Sequence, residues 1–169
     1  MCIRKILDEY VVLDIETTGF NPEKDQIIEV AVCKVKDGNI VDEYTAFVNS
    51  KQPIHQSING FTNNKLNNAE TIDIVMPKLL EFIGQLPIVV HDAYLVMGFI
   101  KKNCNNIDLS LDNEVIDIFP LCKKQLPYLK NYKVSTISDF LGNMDVMVDG
   151  IIDYTRLICK VFENIRDVS

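Results

Sequence analysis

The sequence has no CxxC pair, no surplus of positive charge and no apolar run long enough to cross a bilayer. Its five cysteines (Cys2, Cys33, Cys104, Cys122, Cys159) are odd in number, which excludes a disulfide framework and a zinc ribbon and leaves reduced, mostly core thiols. Lys and Arg total 17 against 24 Asp and Glu, a net charge of −7. A protein that coats nucleic acid by bulk charge is excluded, and any polyanionic partner must be held locally, with help from cations. The longest weakly charged stretch, Pro87 to Ile100, is shorter than a bilayer span and carries His91 and Asp92, and Met1 to Asp8 has no apolar stretch with a cleavage site. The expectation is a cytoplasmic protein without membrane contact. With only 7 Gly and 6 Pro, collagen-like and low-complexity classes fall away as well. A length of 169 residues, 47% of them hydrophobic, suits one domain over 1–169, with a core of about 7–166.

What is present begins with strands. Tyr10 to Glu16 (YVVLDIE) is β-branched and apolar on both parities, the pattern of a central strand buried on both faces. Gln26 to Lys36 and Ile40 to Asn49 follow, joined by the hairpin signal Asp37-Gly38-Asn39, so the first third predicts a three-stranded antiparallel meander. The Asn-rich stretch Thr62 to Asn68 reads as a loop or short helix. From Thr71 the apolar residues fall at helical spacing (Ile72, Val75, Met76, Leu79, Phe82, Ile83, Leu86), and Pro87 ends the run. A short strand is expected at Pro87 to His91, a helix at Ala93 to Asn103, a strand at Glu114 to Ile118 and a helix at Leu121 to Leu126. A short helix, Ser135 to Leu141, is stopped by Gly142, and Ile151 to Ile165 forms a last long one. A meander followed by alternating helix and strand implies an α/β fold, a mixed sheet with helices on its faces.

The most informative residues are Asp14 and Glu16. Two apart on a strand, they point to one face, ~6–7 Å apart at the backbone. The strand is apolar on both parities and Thr17-Thr18-Gly19 then breaks it, which puts the pair at its C-terminal end. Two carboxylates there repel and are partly desolvated, so one takes a proton or both share a cation. With hard oxygen ligands and no Cys or His cluster to favour zinc, Mg²⁺ or Mn²⁺ fits best. Asp-x-Glu alone is a frequent pattern, and its plain alternative is a solvated strand end.

The surrounding residues narrow this. Asp14-Ile15-Glu16-Thr17-Thr18-Gly19 followed by Ile27-Ile28-Glu29-Val30-Ala31 resembles the first motif of the DEDD 3′–5′ exonucleases, specifically the proofreading-subunit branch (epsilon) of bacterial DNA polymerase III. The resemblance continues through Phe47-Val48-Asn49, Asn59-Gly60-Phe61-Thr62 and Leu79 to Gly84, and resumes at Val115-Ile116-Asp117, Leu126-Pro127 and Tyr132 to Ile137, covering roughly Leu7 to Arg166. It implies a ribonuclease H-like fold with a mixed five-stranded sheet, and two-metal hydrolysis of phosphodiester bonds at the 3′ end of single-stranded DNA or RNA. A DNA polymerase is the candidate protein partner. Carried over by position, Asp14 and Glu16 are the first two carboxylate ligands and Asp153 the fourth, and this trio is the expected catalytic and metal-binding set. Thr17, Thr18 and Gly19 are expected to approach the terminal nucleotide, and Asn59 and Phe61 to wedge or stack its base.

The departures carry equal weight. Where the second motif has His-Asn-Ala-x-Phe-Asp, this chain has His91-Asp92-Ala93-Tyr94-Leu95-Val96, so the third carboxylate position is Val96. Val148 stands where the family has its His, and Asp149 where a sister branch has Tyr. Valine neither ligates a cation nor accepts a proton. Three readings follow: an impaired nuclease that still binds strand ends; an active one in which Asp92 or Asp149 substitutes; or a scaffold reused for protein or nucleic-acid binding. His91 reads as a hydrogen-bonded structural residue and His55 as a loop residue. Lys101, Lys102, Lys123, Lys124, Lys130 and Lys133 are either phosphate contacts or a solvated face. Asp73, Asp108, Asp112, Asp117 and Asp139 have no motif argument behind them.

Overall fold

A computed structural model describes residues 7–50, 63–142 and 148–166; His55, Asn59 and Phe61 lie outside the described residues. Among the described residues five strands form one sheet: β1 (Glu9–Thr17), β2 (Ile27–Lys36), β3 (Asn39–Phe47), β4 (Ile88–Val90) and β5 (Val115–Asp117), in the order β3-β2-β1-β4-β5. The β1–β2 and β2–β3 pairs are antiparallel, and the β1–β4 and β4–β5 pairs are parallel. Helices α1 (Asn63–Asn67), α2 (Ile72–Ile83), α3 (Ala93–Asn105), α4 (Ile118–Gln125), α5 (Val134–Phe140) and α6 (Ile151–Arg166) complete the order. The mixed sheet of the sequence reading is therefore present, meander first and parallel strands after.

The two parities of β1 explain the layers. Val11, Leu13 and Ile15 join Val75, Met76, Leu79 and Ile83 of α2 and Val96, Phe99 and Ile100 of α3 in one buried cluster. Tyr10 and Val12 face the other way, into Ile118 and Cys122 of α4, Val134 and Ile137 of α5, and Leu157, Ile158 and Phe162 of α6. A strand buried on both faces has to be apolar on both parities, as this one is. The β2–β3 turn is the two-residue Asp37-Gly38, both at positive φ (50° and 75°), the geometry that joins antiparallel strands without splaying them.

Element ends differ from expectation in three instructive places. The third strand stops at Phe47 rather than Asn49: Val48 still donates its N–H to the Ile28 carbonyl of β2, and on its other side it bridges Glu70. The helix from Ile72 ends at Ile83, and Gly84 at φ 59° turns the chain, so Leu86 lies past the helix. Helix α4 begins at Ile118, three residues before the expected Leu121. Asp117 caps it by accepting the Phe119 N–H at 2.9 Å, and Pro120 sits in the first turn, where its missing N–H costs nothing. Among the described residues no helix is long and apolar enough to cross a membrane.

Candidate active site

A cleft of about 490 Å³ opens at the C-terminal ends of β1, β4 and β5. Its walls are Asp14, Ile15 and Glu16 from β1, His91 and Asp92 beyond β4, Leu95 and Val96 from α3, Phe119 from α4, and Val148, Gly150, Ile151 and Tyr154 at the start of α6. Ligand sites collect at this end of parallel strands because the loops and helix starts that follow them converge there. Asp14 and Glu16 thus stand together on one wall.

The acids are electrostatically strained. Burial, with the charge of Glu16 added, pushes the Asp14 carboxyl up to about 7. Glu29, directly opposite Glu16 in the β1–β2 register, is also pushed up to about 7, by burial first and then by Glu16, with Lys65 opposing. The Tyr154 phenol rises to about 12 through burial and the charges of Asp14 and Glu16. Near neutral pH the cleft therefore offers a half-protonated Asp14 and a neutral Tyr154 hydroxyl, both able to donate a hydrogen bond.

Asp153 is placed differently. It sits in the first turn of α6 but is not part of the cleft wall. Its Oδ1 accepts from Arg156 Nη1 at 2.7 Å and its Oδ2 accepts the Asp149 N–H at 3.2 Å. Arg156 is anchored in turn on β3, with Nε and Nη2 donating to the two carboxylate oxygens of Glu43 at 2.7 and 2.6 Å. Asp149 is exposed and does not line the cleft.

The second motif is held by a residue for which the sequence offers no motif argument. The Asp117 carboxylate accepts the backbone N–H groups of Asp92, Ala93 and Phe119 at 3.2, 2.9 and 2.9 Å, tying the start of α3 to the start of α4. Asp92 is the N-cap of α3, in left-handed backbone (φ 71°), and its Oδ1 accepts the Leu95 N–H at 3.2 Å. Val96, one turn on, is buried at 2% exposure against the cleft floor. His91 Nε2 lies 2.8 Å from the Tyr132 carbonyl oxygen, and its ring meets Phe119 edge-on.

The turn after the acids uses its own hydroxyls. Thr17 Oγ1 donates to the Gly19 carbonyl at 2.6 Å, and Thr18 Oγ1 accepts the Gln26 N–H at 3.0 Å. A Cβ on Gly19 would stand 2.5 Å from Asp25 Oδ2, so only glycine leaves room for that carboxylate, which accepts the Asn21 N–H at 2.9 Å.

The structure thus brings Asp14 and Glu16 into the cleft, leaves Asp153 on Arg156, and puts Asn59 and Phe61 outside what is described. Among the described residues no group of three or more His, Cys, Asp or Glu side chains is placed to hold a metal ion. With Val96 apolar and Asp92 engaged as a cap, the donors present do not fit a pair of divalent ions. Tyr154, like Phe119, is a cleft residue that sequence reasoning missed. Its signal is the spacing of three from Ile151 on a helix, which puts both on one face.

The nuclease domain of 3′hExo, a DEDDh family member, bound to rAMP, matches with a TM-score of 0.77 over 96% of this chain and 92% of that one, at 19% identity. E. coli exonuclease I in complex with a dT13 oligonucleotide reaches 0.80 over 95% and 41%, at 11% identity. The mixed sheet with its helices is their fold, as the motif resemblance implied. The DNA polymerase III PolC-type of Clostridium perfringens is 44% identical over 138 residues, 80% of this chain and 10% of the relative. The chain spans about a tenth of the length of the curated relatives it matches. A family model described as an exonuclease (RNase_T) matches residues 11–150, most of the sequence, and the chain belongs to that exonuclease family.

Proposed function

We propose that this domain receives the 3′ end of a single DNA or RNA strand in its cleft and does not cut it. Val96 carries the reading: an apolar side chain only 2% exposed lies on the floor where two-metal hydrolysis calls for a metal-holding carboxylate. The fourth acid, Asp153, is turned to Arg156, and Val148 stands at the cleft rim with no group to take a proton from water. A general base contributes typically 10²–10⁴-fold, so losing it together with a ligand leaves little turnover. The Asp14–Glu16 pair suits Mg²⁺ or Mn²⁺ in its chemistry, but the donor set lacks what an ion pair needs, and end binding in this reading requires none.

The cleft keeps what recognition of an end asks for. Tyr154 and half-protonated Asp14 are hydrogen-bond donors for sugar or phosphate oxygens, while Leu95, Ile151 and Phe119 supply an apolar wall for a base. Because the curated relatives are PolC-type DNA polymerase III proteins, the reading sets the domain, a single unit over about 7–166, beside a DNA polymerase.

The test incubates 5′-labelled single-stranded DNA and RNA with the protein in Mn²⁺, beside Asp14→Ala and a Val96→Asp/Val148→His double variant, and measures strand binding by anisotropy with and without EDTA. Wild type is expected to bind in EDTA and leave the strand intact. Degradation by wild type that Asp14→Ala abolishes would overturn the reading.

A further inference from the structure

Without an ion pair in the cleft, the cations that hold a polyanion must come from elsewhere. Residues 118–138 contain four lysines, Lys123, Lys124, Lys130 and Lys133, and no Asp or Glu, in a chain whose net charge is −7. All four are exposed, and among the described residues none of them pairs with a carboxylate, whereas Lys36, Lys78 and Lys102 do. Charge of one sign left unneutralised over a short, exposed stretch of chain is what a phosphate backbone asks for.

The span begins at the cleft. Phe119 lines the cleft, and the Lys123 ammonium lies over its ring, 4.4 Å from the centroid and 5.8 Å from that of Tyr132. The rings of Phe119 and Tyr132 meet edge-on at 6.0 Å, and the Tyr132 carbonyl is fixed by His91. Lys133 follows Tyr132 in sequence. In sequence Tyr128 lies between the two lysine groups, and with 97% of its surface exposed no protein neighbour occupies its ring. An exposed aromatic ring set among lysines is what a sequence-tolerant single-strand site uses: cations track phosphates and the ring stacks on a base.

We propose that α4 and the segment to Lys133 form the track along which a single strand leaves the cleft, its phosphates against the lysines and a base on Tyr128. This rests on the end-binding reading above, and it adds a surface that the cleft residues do not include beyond Phe119. It also resolves the charge problem, because the track is basic where the cleft is acidic.

The experiment compares oligo(dT) and oligo(U) of three and of twelve nucleotides, in EDTA, against wild type and a Lys123→Ala/Lys124→Ala/Lys130→Ala/Lys133→Ala variant. The chain has no tryptophan, so Tyr128→Trp gives a single fluorescent reporter on the track. The 12-mers are expected to bind at least tenfold more tightly than the trimers. Their affinity should fall with salt at a log–log slope of about −3 for four neutralised phosphates, and they should quench the emission of the introduced indole where trimers do not. The lysine variant should lose the 12-mer advantage and keep trimer affinity within twofold. Equal binding of trimer and 12-mer, or a 12-mer unaffected by the lysine changes, overturns the track and leaves end binding standing. Lysine-dependent 12-mer binding with no trimer binding leaves the track and overturns end binding, and no binding at all overturns both. The DNA and RNA arms identify which strand the track takes.

Discussion

Arg156 bridges Glu43 of β3 and Asp153 of α6, giving two hydrogen bonds to the first and one at 2.7 Å to the second. The guanidinium occupies Asp153 in the way a bound cation would. Its side chain is 43% exposed, so the bridge contributes only about 1 kcal/mol. Arg156→Ala is expected to lower stability by about that amount in urea titrations. It should also free Asp153, so that millimolar Mn²⁺ raises the Tm of the variant and leaves that of wild type unchanged. An equal rise in both would show that Arg156 does not withhold the acid.

Asp14 and Glu29, each at about 7, make the fold sensitive to pH. In the unfolded chain both lose their protons at a pH of about 4. Between about pH 4 and 7 the folded state therefore binds more protons than the unfolded one, and stability falls as pH rises through that window, levelling off above it. Asp14→Asn removes one of the two protons from this balance. Thermal melts across that window, from about pH 4.5 to 8, should show the variant gaining on wild type as pH rises. A difference that stays constant with pH would contradict the assignment.

Asp117 is the carboxylate whose loss should cost the fold most. Asp117→Ala leaves three backbone N–H groups without their acceptor, a loss of about 2–4 kcal/mol. Asp117→Asn keeps one acceptor oxygen and should lose less than half of that. Urea midpoints of the two variants check the order.

Gly19→Ala drives a methyl group into the Asp25 carboxylate. The side chain must swing away, which breaks its contact with the Asn21 N–H and loosens the turn behind the acids. The expected cost is about 1–2 kcal/mol, and Gly19→Ala/Asp25→Ala should recover part of it, because the second change removes the obstacle. A double variant no more stable than Gly19→Ala would place the strain elsewhere.

The parts of this molecule set by local chemistry are legible in the sequence. The double parity of Tyr10 to Glu16, the Asp37-Gly38 turn and the amphipathic stripe of α6 each follow from neighbours within a few residues. Helix α4 starts earlier than periodicity indicates because one carboxylate, Asp117, both ends the strand and caps the helix. Its other two bonds reach back 25 and 24 residues, a distance no periodicity reports. The Arg156–Glu43 bridge joins residues 113 apart, and it exists only because α6 lies across the antiparallel half of the sheet. Motif position places Asp153 with Asp14 and Glu16, whereas the orientation of its side chain depends on this tertiary partner.

Val96 has a consequence for how such a chain changes over generations. It belongs to the apolar cluster that fastens α3 to the sheet, and a buried valine contributes about 1.5–3 kcal/mol that an ionised carboxylate at the same place would not. Valine in place of an acid therefore makes the fold sturdier, and selection for stability opposes the acid's return. On the end-binding reading, an apolar replacement in the cleft floor acts as a ratchet: folding favours it, and the way back runs uphill.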